Sequence, residues 1–124
     1  GDRYFQLVRQ EDTYYDAEDT CQKLGGHLAS VHNSEEDSQI KYYLKKSGKV
    51  RIGGTDRDSE GSWLWTDGTQ WDYNGWGAGE PNTKPKDGDS LIYKKDKNAI
   101  DKRAWYDYGT RSKLPYLCAS ESCP

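Results

Sequence analysis

The sequence of 124 residues predicts an α+β domain with two helices, small antiparallel sheets and one long loop. Helix start and stop signals flank residues 13–26 and 33–48. Residues 4–8 alternate between polar and apolar side chains, which predicts an opening strand. Residues 67–104 are rich in Gly, Asn, Asp, Pro and Lys and predict a loop in which only residues 91–93 form a strand. Helices and strands that follow one another in this way predict the α+β class.

The first helix is predicted to begin after Thr13 and to end at the glycine pair 25–26. A threonine hydroxyl at the N-cap accepts a hydrogen bond from the backbone three residues on, where Asp16 stands. Small or apolar residues then recur at helical spacing, at Ala17, Cys21 and Leu24. We expect this face of the helix to be buried.

The second helix is predicted to begin at Asn33 or Ser34. Acidic residues fill its first turn and favour the positive end of the helix dipole, at Glu35, Glu36 and Asp37. Its end is predicted at Lys45, Lys46 and Gly48. Its buried face is predicted to consist of Ile40, Tyr43 and Leu44.

Composition predicts a single folded domain over residues 1–124. Hydrophobic residues make up 32% of the chain and mean hydropathy is -1.17, but five Trp and ten Tyr are present. Aromatic residues bury much apolar area each and are scarce in disordered chains. We therefore expect an aromatic-rich core, with the tryptophans as core and loop anchors.

Charge and hydropathy limit the partners. A net charge of -3 and a pI near 5.4 predict no nucleic-acid partner. No apolar run is long enough to span a bilayer, so we expect no membrane insertion. Residues 1–3 do not resemble a signal peptide, and we expect a mature chain or an excised part of one.

Oxygen donors are concentrated in the long loop. Glu80 and Asn82 flank Pro81, whose ring restricts the backbone and can turn both side chains toward one point. Asp87 and Asp89 follow, and Asp107 comes after Trp105 and Tyr106 in the sequence. Calcium takes six to eight such oxygens, and an incomplete shell leaves room for hydroxyl groups of a ligand. The loop therefore predicts a calcium site with sugar-binding chemistry.

Several motifs around this loop occur in a familiar order, and with them the chain resembles the C-type lectin-like domain. These motifs are CQKLGGHLASV at 21–31, IGGTD at 52–56, GSWLWTDG at 61–68 and YLC at 116–118. The resemblance covers essentially the whole chain, and the spacing of the C-terminal third is similar to that of selectins. It implies a C-type lectin-like fold whose long loop binds calcium and sugar.

The resemblance implies a principal calcium site made by Glu80, Asn82 and Asp107. Two positions depart from the family pattern. Gly88 stands where the family has an acid, and we expect Asp87 or Asp89 to take its place. Tyr106 stands where the family has a second asparagine that holds the metal and the sugar.

The same carry-over implies the sugar contacts and a second metal site. The sugar contacts are predicted at Glu80, Asn82, Tyr106 and Asp107. An ancillary calcium site is predicted at Asp56, Glu60 and Asp89, with Thr83 at its fourth position.

Three cysteines leave one without a partner. The resemblance implies a disulfide between Cys21 and Cys118, and the family's second bridge is absent because Ser90 and Thr110 stand at its positions. Such a bond predicts a secreted or extracellular protein. Cys123 is free, joins two chains in a disulfide-linked dimer, or belongs to a neighbouring domain.

Other polar clusters predict no enzyme. His27 and His32 look like a metal pair, but we expect framework histidines. Asp56 and Glu60 resemble paired glycosidase carboxylates, yet nothing else supports hydrolysis and no activated nucleophile is evident. Two basic stretches predict solvated faces or a surface for an acidic partner such as sulfated glycan: Lys41, Lys45, Lys46, Lys49 and Arg51, then Lys94, Lys95, Lys97, Lys102 and Arg103.

The predicted function is calcium-dependent binding of glycans or glycoproteins. In the family, Glu-Pro-Asn accompanies mannose or fucose type sugars, whereas Gln-Pro-Asp accompanies galactose. The alternative is a protein- or polyanion-binding module that uses the same fold without calcium and carries a vestigial metal site.

Overall fold

The computed structural model describes residues 3–44, 48–58, 61–77, 90–96 and 99–121, without the side chains of residues 43, 96 and 99–102. The elements are β1 (Tyr4–Asp12), α1 (Tyr14–Lys23), β2 (His27–Leu28), α2 (Ser34–Tyr43), β3 (Val50–Thr55), β4 (Leu64–Trp65), β5 (Ser90–Asp96), β6 (Ala99–Tyr108) and β7 (Leu114–Ser120). Within these residues no helix is long and apolar enough to cross a membrane.

The strands form one connected sheet in the order β1-β7-β3-β5-β6, with β2 paired to β7 and β4 paired to β3. All pairings are antiparallel except that of β3 with β7, where Arg51 lies opposite Tyr116. The first and last strands are neighbours, since Tyr4 pairs with Ser120. The predicted α+β class is confirmed, with one mixed sheet in place of several small ones.

Both helices begin where the cap residues predict. The Thr13 hydroxyl accepts a hydrogen bond from the Asp16 backbone N–H at 3.3 Å, and the Asn33 side chain accepts one from Glu36 at 2.8 Å. α1 ends before the glycine pair, as predicted. α2 ends earlier than predicted, at Tyr43, and Lys45 and Lys46 lie outside the described residues.

Among the described residues, three apolar clusters pack against the sheet, and the two larger ones lie on opposite faces. The main core includes the fully buried Ile40 of α2 and Leu44, the C-cap of that helix, with strand residues such as Ile52 and Trp105. The second cluster packs α1 against β7, with Ala17 and Cys21 completely buried. The predicted buried faces of both helices are confirmed at these positions. The prediction is wrong for Leu24, which is 37% exposed, and the Tyr43 side chain lies outside the described part of the chain.

A disulfide and two glycines fasten α1 and β2 to the sheet. Cys21 and Cys118 are bonded, as predicted, across a sequence separation of 97. Gly26 and Gly53 have no room for a side chain, because an added Cβ would lie 2.0 Å from the Ala119 carbonyl oxygen and 2.6 Å from that of Leu28. Cys123 lies outside the described residues.

The prediction that the loop continues to Ala104 is wrong. Residues Ala99–Tyr108 form β6, the longest strand of the sheet, and pair with β5 from Ser90 to Asp96. The strand was missed because it contains lysine and aspartate residues, which are depleted in strands. Its strand conformation depends on pairing with β5, which the local sequence does not reveal. The hairpin gives the long loop a firm boundary at Ser90.

Candidate functional site

Both ends of segment 78–89 are attached to the same strand. On the N-terminal side, Gly77 donates its backbone N–H to the Trp105 carbonyl oxygen, and Trp105 donates to Gly75, each at 2.9 Å. On the C-terminal side, Ser90 pairs with Tyr108 of β6 and with Thr55 of β3. The two ends of the segment therefore lie next to Trp105 and Tyr108 of β6, on either side of Asp107 in the sequence.

Asp107 lies in β6 opposite Leu91, one residue before the row formed by Thr55, Ser90 and Tyr108. Its side chain is 7% exposed, and both carboxylate oxygens are buried. Burying a carboxylate is costly unless hydrogen-bond donors or a cation compensate its charge. The position fits a structural or metal-binding carboxylate.

Asp56 follows the same row on β3, directly after Thr55. The residue is 4% exposed, and its Oδ2 accepts a hydrogen bond from the Gly61 N–H at 3.0 Å. Its Oδ1 is equally buried, and no donor within the described part of the chain reaches it. An oxygen in this state fits a cation ligand, because the hard oxygens of carboxylates are the ligands calcium prefers.

Tyr106 points to the opposite face of β6 from Asp107, since successive side chains of a strand alternate. Its ring is 8% exposed and packs with Ile92 and Ala104. A Cβ added at Gly77 would lie 2.9 Å from the Tyr106 hydroxyl oxygen. The phenol therefore reaches the N-terminal end of the loop, and its sugar contact stays a prediction.

Five tryptophans pack together in and against the main core, as predicted for core anchors. Trp65 stacks on Trp71 with 4.2 Å between ring centroids, and Trp76 meets Trp63 edge to face at 4.9 Å. Trp105 contacts three of the others and is completely buried. Edge-to-face and offset pairs add roughly 0.5 to 1.5 kcal/mol each beyond area burial. The cluster packs Trp76, which directly precedes Gly77, against the buried Trp105 of β6.

Most of the predicted metal ligands belong to parts of the chain outside the described residues. Glu60, Glu80, Asn82, Asp87 and Asp89 lie outside the described residues. The structure brings Asp56 and Asp107 to the same end of the sheet, and the described residues contain no group of three metal-binding side chains. The proposed calcium sites stay predictions.

The two histidines serve different partners, as expected of framework residues. His27 Nδ1 lies 2.6 Å from Glu18 Oε2, and His32 Nδ1 lies 2.7 Å from Asp72 Oδ1. They line one open cavity of about 540 Å³ together with Arg3. Sequence reasoning did not find this cavity, because its walls come from the N-terminus, the α2 region and β7.

Asp67 lines this cavity and is hydrogen-bonded to two neighbouring segments. It accepts hydrogen bonds from the Ser30 hydroxyl at 2.5 Å and from the Thr69 backbone N–H at 2.9 Å. Desolvation alone would raise the pKa of Asp67, but these hydrogen bonds outweigh it and hold the pKa below its usual value. Asp67 is therefore a charged structural anchor at neutral pH.

Comparison with known proteins gives lectins and ice-structuring proteins alike. A protein named Lectin from Pleurodeles waltl is 34% identical over 122 residues, which are 93% of this chain and 68% of that protein. Galactose-specific lectin nattectin from Thalassophryne nattereri is 41% identical over 86 residues, 66% of this chain and 54% of its own length. Type-2 ice-structuring protein from Brachyopsis segaliensis is 38% identical over 119 residues, 96% of this chain and 67% of that protein.

A solved structure supports the same relationship. A calcium-independent type II antifreeze protein matches this fold with a TM-score of 0.81 at 35% identity, over 97% of this chain and 87% of that one. The sequence profile of the Lectin C-type domain matches residues 10–120. The fold, the disulfide and these matches agree, and the chain belongs to the C-type lectin domain family, whose members are not enzymes.

Proposed function

We propose that this chain binds carbohydrate through calcium held where segment 78–89 meets the sheet. The observation that carries the proposal is the buried Oδ1 of Asp56, which no donor from the described residues reaches. A bare carboxylate oxygen in a low-dielectric site is unfavourable, and a bound cation would compensate it. Calcium is the cation whose ligand preference fits carboxylates and carbonyl groups.

The neighbouring sequence supplies enough further oxygens for this metal. Glu80 and Asn82 follow the anchored Gly77 by three and five positions, and Asp87 and Asp89 precede Ser90 by three and one. With Asp107 they would form the principal site, and Asp56 with Glu60 and Asp89 the ancillary one. Calcium bound there would offer open coordination positions to sugar hydroxyls, and we expect glycans or glycoproteins in the extracellular space as partners.

Sugar preference is proposed from Glu80 and Asn82. The Glu-Pro-Asn tripeptide favours mannose or fucose type sugars over galactose. A relative that is 41% identical over 86 residues is named a galactose-specific lectin, so galactose is the competing choice of sugar. Competition of mannose, fucose and galactose for glycan binding in calcium decides between them.

The proposed calcium site predicts a chelator-reversible rise in melting temperature. Dissociation constants of roughly 10⁻⁴ to 10⁻³ M are typical of extracellular modules, so ~10 mM calcium should stabilise the fold by about 1.4 to 2.7 kcal/mol. Asp56→Asn and Asp107→Asn should lose most of this rise, because each removes one anionic ligand. Differential scanning calorimetry with and without chelator measures the effect.

Asp58→Asn is the matched control, since Asp58 lies two residues from Asp56 and is exposed. It should keep the full calcium response. An unchanged melting temperature of the parent protein at ~10 mM calcium would retire the calcium site. Sugar binding that persists in chelator would instead contradict only its calcium dependence.

Ice binding is a second candidate, favoured by the 38% identity to a type-2 ice-structuring protein over 96% of this chain. The matching calcium-independent antifreeze structure shows that this fold accommodates a protein of that class. Thermal hysteresis in chelator, with growth of faceted ice crystals, would support ice binding. Round, unfaceted ice crystals with neither a freezing-point gap nor inhibited recrystallisation would exclude it.

A further inference from the structure

A basic and aromatic face lies on the outer side of β3, β5 and β6. The pairings Arg51 with Ile92 and Ile92 with Tyr106 place these three side chains on one face of the sheet. Among the described residues, this side of β5 and β6 is packed only by the partly buried Tyr108 and Leu114. In the described part of the chain, α1 packs further along, on β7. Ile92 and Tyr106 at the centre of this face are 0% and 8% exposed.

Two lysines stand on this face, each held over a tyrosine ring. Lys94 Nζ lies 4.3 Å from the Tyr106 ring centroid, and Lys49 Nζ lies 4.7 Å from that of Tyr108. Lys49 also donates a hydrogen bond to the Tyr108 hydroxyl at 3.0 Å. We call Lys49, Lys94, Tyr106 and Tyr108 the basic-aromatic face. The cation–π contacts hold both ammonium groups in place before any ligand arrives.

The two lysines are neighbours across the strands. Val50 pairs with Tyr93, so continuing the register by one residue places Lys49 opposite Lys94. Like charges in that position repel one another. Arg51 lies in the same face, is completely buried and donates to Ser90 Oγ and to backbone carbonyls, none of which carries a negative charge.

No carboxylate in the described residues neutralises this cluster. The ion pairs there are Arg3–Glu36, Lys23–Asp19, Lys41–Asp37, His27–Glu18 and His32–Asp72. None of these five pairs includes Lys49 or Lys94. An outside anion would relieve the repulsion at the face itself.

We propose that the basic-aromatic face binds a sulfated polysaccharide, independently of calcium. Sulfate groups would pair with the ammonium groups of Lys49 and Lys94, which lie over the rings of Tyr108 and Tyr106. The site is separate from the proposed calcium ligands, since neither lysine belongs to them. It would give the domain a second carbohydrate-binding surface, beyond the loop.

Charge and compartment favour this polyanion over others. The chain carries a net charge of -3, so a stiff polyanion such as duplex DNA would meet repulsion outside the small basic face. The disulfide indicates an oxidising compartment, where polysaccharide sulfates are available as anions. A flexible sulfated chain can contact this face alone.

Binding to immobilised heparin in chelator tests the proposal, with the full chain and with Lys49→Gln/Lys94→Gln. We expect the parent protein to bind, the affinity to fall with rising salt, and the double variant to lose about tenfold. Lys49→Arg/Lys94→Arg should keep the affinity, because it keeps both charges. Unchanged melting temperatures show that the variants fold.

Lys23→Gln is the matched control, since Lys23 is exposed and pairs with Asp19 on α1. It should change heparin affinity less than twofold. Equal losses in this control and the double variant would overturn the proposal, as would equal binding of desulfated heparin or stronger binding of duplex DNA. Because chelator is present throughout, failure here is independent of failure of the calcium site.

Discussion

Arg51 shows at the scale of one residue how a buried cation joins distant segments. It is completely buried, donates to Ser90 Oγ at 2.5 Å, and its other terminal nitrogen donates to the carbonyl oxygens of Gly109 and Ser112. Desolvation lowers the pKa of Arg51 to about 10, which leaves it protonated at neutral pH. It therefore links β5 to the turn before β7, beside the position where the family's second disulfide was predicted to be missing.

Replacing Arg51 with leucine should destabilise the fold by about 3 kcal/mol. The Ser112 carbonyl oxygen and the buried Ser90 Oγ would each lose the guanidinium as a donor. Hydrogen bonds to charged groups contribute about 1.5 to 3 kcal/mol each. Urea unfolding of the parent protein and variant measures the loss. Arg111→Leu is the control, since Arg111 is exposed, and a loss as large there would contradict this account.

Prediction failed for Arg51 because sequence shows charge but not burial. Its basic stretch was predicted to be solvated or to face an acidic partner, and this is wrong for Arg51 and for Arg103, which is 5% exposed. Arg103 donates to the Gly48 carbonyl oxygen at 2.6 Å. Both arginines are buried by tertiary packing against backbone carbonyl groups that carry no sequence signature.

At the scale of elements, α1 follows local rules that a sequence displays. The cap, the helical spacing of Ala17 and Cys21, and the glycines after the helix are all local signals. Its tertiary fastening is different: Glu18 accepts hydrogen bonds from the Leu28 backbone N–H at 2.9 Å and from the Thr66 hydroxyl at 2.7 Å. These partners are ten and 48 residues away, and no helix rule predicts them.

Thr13→Ala should cost about 1 kcal/mol, because it leaves the Asp16 backbone N–H without its cap acceptor. Thr13→Ser keeps the oxygen and should stay within a few tenths of a kcal/mol of the parent protein. Chemical unfolding followed by circular dichroism compares the three proteins. Equal stability of the alanine and serine variants would mean that the cap contributes nothing.

Strand β6 was not predicted from the sequence. Only residues 91–93 of its partner were predicted as a strand, whereas pairing extends from Ser90 to Asp96. A hairpin rich in Lys and Asp lacks the β-branched and aromatic run that usually signals strands. The loop ligands predicted from Glu80 and Asn82 depended on motif resemblance, and of the principal set only Asp107 is described.

At the scale of the whole molecule, Tyr93 and Tyr14 make the stability of the fold depend on pH. Tyr93 is buried in the main core and donates to Asp37, and desolvation followed by this acid raises its pKa well above 10.0. Desolvation, with Glu18 as the next cause, raises the pKa of Tyr14 to about 12. The folded state therefore holds both protons more tightly than the unfolded chain does.

The contribution of these tyrosines to the free energy of unfolding should therefore be constant below about pH 10 and should decrease above it. A raised folded pKa means that the unfolded state loses its proton first, so each group costs about 1.4 kcal/mol per pH unit until its folded pKa is reached. Tyr14→Phe should reduce this alkaline slope by one proton. Urea unfolding from pH 9 to 11.5 measures it, and an equal slope in both proteins would contradict the Tyr14 assignment.

The tryptophan cluster should make the intrinsic fluorescence of the protein sensitive to changes beside segment 78–89. All five indoles of the chain lie in this cluster, and Trp76 and Trp105 adjoin the N-terminal attachment point of segment 78–89 at Gly77. At centroid separations of 4.2 to 6.4 Å, excitation passes rapidly among such rings, so emission comes from a shared pool rather than from scattered sites. A ligand that shifts Trp76 alone would change the quantum yield of the whole set, and unlabelled protein would then register events at the loop by fluorescence.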